Sequence, residues 1–421
     1  MVSLALASSG ALGSGFGLYE PSARYHALGG AVVGKAVDAS ANFANPATLT
    51  DLTNYEFTVG FVTEHPRGKV SVNHSEENMD PGLFWLPHLM IAAPLPADFT
   101  FGLGISAEYG LGTRYSRSWP MNWNCYETTV QGLVINPNLA YKITDKWSVA
   151  AGLRWLYFDF EQYKQMNFTY NHPLAGNLPV GSMKYRLKGD NGWDGFGWQI
   201  GTKYDILDNL SVGIVYKAAI DTTIKGRTSA HATVQNAQID AMGYNLEQQA
   251  AGMTGKADAD ITLPQSVTFG VNWDPVEKWH TGVAFSWTEW SEFDQLIFNI
   301  PKGGVKTASP IPLNWKDTWR GSIGVAYDFL EDWTAMLSYT YDMDCTSSDQ
   351  SSAMLPPASR HILAGGLAWD IGWGIEAALS YSCIFMNGFE MHTDDDNFGH
   401  YDLKTKRGFC HAGGFSLTYR F

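Results

Sequence analysis

No stretch of this chain carries the about 18 consecutive apolar residues that a transmembrane helix requires. The region around 89–95 comes nearest and is broken by Pro94 and Pro96. Charge is scarce too: Asp, Glu, Lys and Arg make up 17% of the 421 residues, against 14% aromatics. A soluble chain this aromatic would carry more charge, and this length would ordinarily divide into two or three soluble domains. Basic excess is missing; the formal net charge of −14 counts against nucleic acid, and none is expected as a partner. The acids read as exposed loops, as at Asp394, Asp395 and Asp396, with a divalent cation or lipopolysaccharide contact as the sharper alternative. The four cysteines include no C-x-x-C, and the eleven histidines are scattered, so no metal site is expected. An oxidising compartment would permit disulfides, but strand parity puts Cys383 and Cys410 on opposite faces and no pairing is expected. Ser359 and His361 are close in sequence without obvious oxyanion donors, so catalytic residues and cofactors are expected to be absent. At the N-terminus small residues end an apolar stretch without a basic segment before it. Residues 1–13 read as a signal-peptide remnant cleaved near Ser14.

What the chain does contain is a turn that hands over to tryptophan, four times. The sites are Asp145-Lys146-Trp147, Glu277-Lys278-Trp279, Glu331-Asp332-Trp333 and Asp370-Ile371-Gly372-Trp373. Two-residue alternation follows, as in Val149, Ala151, Leu153 and Trp155. Tryptophan favours the water–hydrocarbon boundary, so a Trp at the same end of every second strand fits an aromatic girdle. Alternating segments between turn residues number about fourteen. Their connections are tight at one end (144–145, 207–208, 275–276, 330–331) and long at the other (65–83, 112–127, 165–191, 226–261, 292–315, 346–357, 391–406). The expected fold is therefore all-β: a transmembrane antiparallel β-barrel in the outer membrane of a Gram-negative cell, with its short turns periplasmic. In 316–329, Trp319, Ile323, Val325, Tyr327 and Phe329 are expected to face lipid; Lys316, Arg320, Ser322 and Asp328 share the lumenal parity. The final strand alternates to a terminal Phe421, which resembles the signal read by outer-membrane assembly machinery.

Residues 14–50 do not alternate. They are rich in Gly, Ala and Ser, and lipid cannot satisfy their backbone groups. They are expected to form a plug, or hatch, inside the lumen, with 51–421 as the barrel.

The chain resembles the outer-membrane long-chain fatty acid transporter (FadL-type) family, whose relatives include importers of aromatic hydrocarbons. The resemblance runs from Ser14 to Phe421. It rests on Ser14-Gly15-Phe16, Asn45-Pro46-Ala47, the 108–113 segment Glu-Tyr-Gly-Leu-Gly-Thr, Trp193 with Gly197-Trp198, Leu263-Pro264, Trp290-Ser-Glu-Phe293, and the 315–320 segment Trp-Lys-Asp-Thr-Trp-Arg. It implies a fourteen-stranded barrel with an N-terminal hatch and passive uptake of hydrophobic small molecules. An apolar ligand would land between the third and fourth long loops, pass to a pocket near the hatch N-terminus, and leave sideways through a gap at a kinked third strand. Gly110 matches the kink position, and Phe16 matches a hatch phenylalanine that touches ligand. Asn45, Pro46 and Ala47 would shape a turn that is either structural or gating.

The two loops offer apolar side chains for the landing groove. Phe168 lies in 165–191, with Leu174, Leu178 and Met183; Met242 and Leu246 lie in 226–261 beside Val234 and Ile239, where a short amphipathic helix is expected. Mutual packing of the loops is the alternative reading. Lys164 falls at the family's basic position for an anionic head group. Its second basic position holds Ile311 here, so Lys306, Lys316 or Arg320 would have to substitute, which leaves room for a neutral hydrocarbon. Arg154 is lumenal by parity and of the kind that pairs with an acid such as Glu376. A general diffusion porin or structural barrel is the rival from another class, disfavoured by the plug and the greasy loops.

Overall fold

The computed structural model describes residues 15–421 apart from 74, 80–81, 190–191, 304, 347–357, 389, 396–398 and 406–407. The expected signal-peptide remnant and cleavage point lie outside the described residues.

The strands, in chain order, begin with β1 (Glu56–Val72), β2 (Ser75–Met79), β3 (Phe84–Pro94), β4 (Phe99–Arg114), β5 (Glu127–Thr144), β6 (Trp147–His172) and β7 (Gly176–Gly189). There follow β8 (Gly192–Leu207), β9 (Leu210–Lys217), β10 (Ile220–Val234), β11 (Gly255–Leu263), β12 (Ser266–Val276), β13 (Trp279–Thr288), β14 (Gln295–Lys302) and β15 (Val305–Pro312). The last are β16 (Thr318–Leu330), β17 (Trp333–Asp342), β18 (Arg360–Gly372), β19 (Ile375–Met386), β20 (Glu390–Asp395), β21 (Gly399–Thr405) and β22 (Gly408–Arg420). All pair antiparallel, and β22 closes on β1 through twelve residue pairs, from Glu56 opposite Arg420 to Arg67 opposite Phe409.

Traced through every paired strand the sheet closes as a sixteen-stranded barrel, which corrects the expectation of about fourteen; fourteen close it only at the short-turn end, where β6 meets β8 directly. The difference arises between β6 and β8. Near the short-turn end they pair directly, from Trp147 opposite Tyr204 upward. Beyond Phe158 they part, and β7 pairs with β6 while β10 pairs with β7 and touches β8 at Asp221–Phe196. Both inserted strands lie largely in what reads from sequence as long loops. The expected strand 208–225 is likewise two strands, interrupted at Ala218 and Ala219. Its neighbour breaks at Pro264, which has no N–H to offer a ladder.

Outward positions are large and apolar: Phe57, Leu153, Trp198, Phe285, Ile323, Leu337 and Leu379 are all exposed. Inward positions on the same strands are polar and buried, among them Thr58, Arg154, Gln199, Ser286, Ser322, Ser338 and Ser380. Rings collect at the short-turn end, where Trp333 stacks on Trp369, Trp279 on Tyr327 and Tyr55 on the terminal Phe421. Trp319, Ile323, Tyr327 and Phe329 point out and Arg320 and Ser322 in, as expected, but Lys316 precedes β16 and is exposed. The cause is the irregular approach to the strand, which buries Trp315 and turns its neighbour to solvent.

The N-terminal segment carries two short helices, α1 (Ala23–Ala27) and α2 (Ala41–Ala44), and a 3-10 helix over Pro46–Asp51. Its partners lie all round the ring. Leu18 N–H donates to Glu108 O of β4, Asn42 to Ile91 O of β3, Asn45 to Thr202 O of β8 and Gly34 N–H to Asn272 of β12. Arg320 of β16 and Ser338 of β17 donate to Gly29 O and Ala27 O; His26 meets Ser380 and Ser382 of β19. Glycines in the wall make room for it. A Cβ at Gly102 would stand 2.1 Å from Asn42 Oδ1, and one at Gly201 2.2 Å from Asn45 Oδ1.

Candidate functional site

The site begins at a fault in the sheet. β3 and β4 pair from Pro94–Thr100 only as far as His88–Ser106. Above that level β3 keeps its bonds to β1 and β4 its bonds to β5, but the facing edges of the two have separated. A β-bulge marks the place: on β4 the register against β5 shifts between Ala107 and Tyr109, leaving Glu108 as the extra residue. A bulge bends its strand and re-aims side chains, and here Glu108 and Tyr109 are both buried. The freed edge of β4 binds the N-terminal segment. Gly17 bridges to Tyr109, Gly110 N–H donates to Phe16 O (2.8 Å), and Leu18 N–H donates to Glu108 O (2.9 Å). Gly110 therefore sits just beyond the bulge, with its N–H turned to the segment rather than to β3.

This docking carries Phe16 into an aromatic cage. Its ring lies 5.0 Å from Trp290, 5.4 Å from Phe293, 6.0 Å from Tyr109 and Trp315, and 6.1 Å from Phe158, mostly edge-on or tilted. Such geometry suits ring quadrupoles. Phe16 is 3% exposed, so it fills the cage. Gly15, at φ +58°, brings the backbone against Trp290, where a Cβ would stand 2.6 Å from the indole.

Beside the cage, sharing Tyr109 and Trp290 with it, is a cavity of about 60 Å³. Glu108, Arg154 and Lys217 reach into it together with the hydroxyls of Ser266, Thr268, Ser286 and Thr288. Arg154 donates to Glu108 at 2.7 Å and to Tyr109 Oη at 3.3 Å; Lys217 Nζ lies 3.5 Å from Glu108 and 3.5 Å from the Phe43 ring centre. Arg154 thus pairs with Glu108, not with Glu376, which is taken by Arg24 (2.8 Å) and Arg420 (3.2 Å). The bulge, absent from any parity argument, is what supplies Glu108.

The other residues singled out from sequence fall in separate places. Asn45 is buried: its Oδ1 accepts from Ala47 N–H (3.1 Å), and its amide donates to Val33 O (2.9 Å) and Thr202 O (3.0 Å). Pro46 opens the 3-10 helix that this side chain caps. Arg320 spans the Tyr19 ring (4.4 Å) and Gly29 O (3.3 Å), binding the N-terminal segment to β16. Lys164, on β6 opposite Tyr185, is half-buried near Cys125 and among the described residues meets no carboxylate. Ile311 is partly buried against the cluster that includes the cage, and Lys306 pairs with Asp258.

At the long-loop end, Leu246 is fully buried with Val180 and Ile239, and Phe168, Tyr170, Leu178, Val234 and Tyr244 pack around them. The two loops do pack on each other, leaving Met242 (69%) and Leu174 (94%) exposed. Short helices form at Ala237–Ile239 and Leu246–Gly252, whereas Val234 ends β10. Ser359 and His361 do not form a pair: Ser359 Oγ accepts from Asp344 N–H and His361 bonds Tyr339 Oη at 2.8 Å. The four cysteines are free. Sequence reasoning flagged Trp290, Phe293 and Trp315 only as motif residues. It missed Glu108, Tyr109, Phe158 and Lys217 as parts of one site; the signal available was the break in alternation at Glu108-Tyr109.

A model of the family of outer membrane protein transport proteins (OMPP1/FadL/TodX) matches residues 4–421. The chain is 25% identical over 447 residues to a long-chain fatty acid transport protein of Escherichia coli O6:H1, covering 100% of this chain and 97% of that one. Among solved structures, a FadL homologue of Pseudomonas aeruginosa superposes with a TM-score of 0.85 at 19% identity, covering 97% and 100% of the two chains. The toluene transporter TodX of P. putida superposes at 0.70 with 17% identity, covering 96% and 99%.

Proposed function

As the chain belongs to the outer membrane protein transport protein (OMPP1/FadL/TodX) family, a family of outer-membrane transporters rather than enzymes, we propose that it admits long-chain fatty acids by passive diffusion and releases them sideways. Residues 14–50 act as the hatch. The observation that carries this reading is the continuity of the Phe16 cage with the parted edges of β3 and β4: the apolar pocket and the opening in the wall share the strand segment 107–110.

An acyl chain gains about 0.8 kcal/mol per CH₂ on leaving water, so an apolar path attracts it without an energy source. Met242 and Leu174 would meet it first, standing over the Phe168 and Leu246 cluster. It would next reach the cage, and Phe16 yields to it. Movement of Phe16 also breaks the hydrogen bonds by which Gly110 and Leu18 hold the segment against β4, which clears the gap.

A second reading, import of neutral aromatic hydrocarbons, is favoured by the composition of the cage itself, six aromatic rings. A water-filled porin is disfavoured by the bonds of residues 15–51 to strands round the ring. Lipopolysaccharide surrounds the outer face in this setting, and assembly through Phe421 completes the expected partners. The test is uptake of radiolabelled oleate and toluene by a Gram-negative strain lacking its own importers. Oleate uptake well above the empty vector is expected; uptake of neither compound would refute transport, and toluene alone would select the second reading.

A further inference from the structure

The cavity beside the cage holds one positive charge more than it can neutralise. Arg154 and Lys217 share the single carboxylate of Glu108, at 2.7 and 3.5 Å. Among the described residues no other carboxylate reaches either cation. The two bonds are unequal. Arg154 is 1% exposed and takes the short one, yet its Nε remains without an acceptor. Lys217 has the long one and lies instead against the face of Phe43, a cation–π contact that replaces hydration only in part. A buried charge without a full partner is costly, and the usual remedy is a counter-ion.

The rest of the lining fits that remedy. Ser266, Thr268, Ser286 and Thr288 place four hydroxyls round the same space, from two paired strands, β12 and β13; Thr268 and Ser286 bond each other at 2.9 Å, which leaves three protons to donate. The volume of about 60 Å³ suits a few waters or one carboxyl group, not an acyl chain. Tyr109 and Trp290 form the partition with the Phe16 cage, so a head group here would leave its tail at the cage.

We propose that this cavity is the carboxylate-binding site for a long-chain monocarboxylic acid, with Lys217 and Arg154 holding the head group and the aromatic cage receiving the first part of the tail. The inference rests on the uptake reading and narrows it to acids. Lys217 is the selectivity residue, because its charge is the one Glu108 satisfies least. Neither Lys164 nor the position of Ile311 is needed for the head group. The incoming carboxylate competes with Glu108, whose own backbone carbonyl holds Leu18 in the bulge, so binding of the head bears on the strand that parts from β3.

The test compares two ligands that share a tail. Binding of palmitate and of hexadecanol to the detergent-solubilised full chain is measured by equilibrium dialysis, for wild type, Lys217→Met, Lys217→Arg and Lys164→Met. Expected is at least tenfold tighter binding of palmitate by wild type, lost in Lys217→Met without change for hexadecanol, and kept in Lys217→Arg and Lys164→Met. Heat-modified mobility on gels confirms that each barrel is folded. Equal binding of the two ligands by wild type, or loss of the preference in Lys164→Met but not in Lys217→Met, would overturn the assignment and leave uptake standing. Binding of neither ligand by folded wild type would overturn the uptake reading, and this inference with it.

Discussion

Replacing Phe16 by Ala separates a stopper from a mere wall residue. The side chain is 3% exposed and touches five rings at 5.0–6.1 Å. Truncating so buried a phenylalanine ordinarily costs about 3–5 kcal/mol. The remaining attachment of this strand to β4 is two backbone hydrogen bonds, from Gly110 and Leu18, together worth about 1–3 kcal/mol. With Leu18 buried against Val62, Leu86 and Ala412 as a second anchor, the ring is the largest single contribution to keeping residues 15–18 docked. A ligand entering the cage must first displace the ring, and it recovers only part of that cost from the ring's new surroundings. In Phe16→Ala the displacement is no longer required. Oleate binding to the purified barrel, followed by isothermal titration, should tighten by about tenfold or more (1.4 kcal/mol per decade), and proteolysis near residue 18 should accelerate. Weaker oleate binding in the variant would refute the stopper reasoning and make Phe16 chiefly a ligand contact.

Three further changes probe the seating of the N-terminal segment. Asn45→Ala removes three hydrogen bonds at a buried position and should lower stability by about 1–3 kcal/mol; hydrogen exchange over residues 33–48 reads the loss. Gly201→Val puts side-chain atoms where Asn45 Oδ1 now lies, 2.2 Å from an added Cβ; the barrel should still assemble but pass ion current in planar bilayers, whereas wild type passes little. Burial, and secondarily Arg320, pushes His26 down to about 4, so the folded N-terminal segment holds it neutral between Ser380 and Ser382. An unfolded histidine titrates near 6.5; the stabilisation is therefore complete above about pH 6.5 and is lost as the pH falls toward 4, by up to about 3 kcal/mol. Exchange protection of residues 23–30 should fall over that window in wild type and stay level in His26→Asn.

Much of the wall was legible because lipid on one side and water on the other impose a strict two-residue period. Trp319, Ile323, Tyr327 and Phe329 follow it, as does the closing strand to Phe421. Where the strands rise past the apolar band, the outer face meets water and the inner face packs apolar, so the pattern inverts: on β7, Met183, Tyr185 and Leu187 are buried while Lys184 and Lys188 are exposed. The upper part of β1, β10 beyond residue 225, and the strands β7, β14 and β15 consequently read as loop; β7 and β10 are the two that bring the closed count to sixteen. Lys316 failed because a strand parity was extended two residues beyond the strand. The candidate site was legible in pieces: Phe16, Asn45, Gly110 and the Trp290, Phe293 and Trp315 motifs each stood out. Their assembly depends on the bulge at Glu108, which is set by docking of a segment about ninety residues earlier in the chain, and no local pattern encodes that contact. The pairing of Arg154 with Glu108 rather than Glu376 was hidden for the same reason.

Sideways release through the parted strands is tested most directly by bridging them. Phe84 on β3 and Gly112 on β4 face each other beyond the last β3–β4 pair, and a Cβ at Gly112 would stand 2.5 Å from the Phe84 ring. Phe84→Cys with Gly112→Cys, in a background where Cys125, Cys345, Cys383 and Cys410 are serine, accepts a short cleavable thiol cross-linker. Oleate uptake by cells carrying this protein should stop on bridging and return on cleavage. Uptake that continues at full rate with the bridge in place would contradict lateral release.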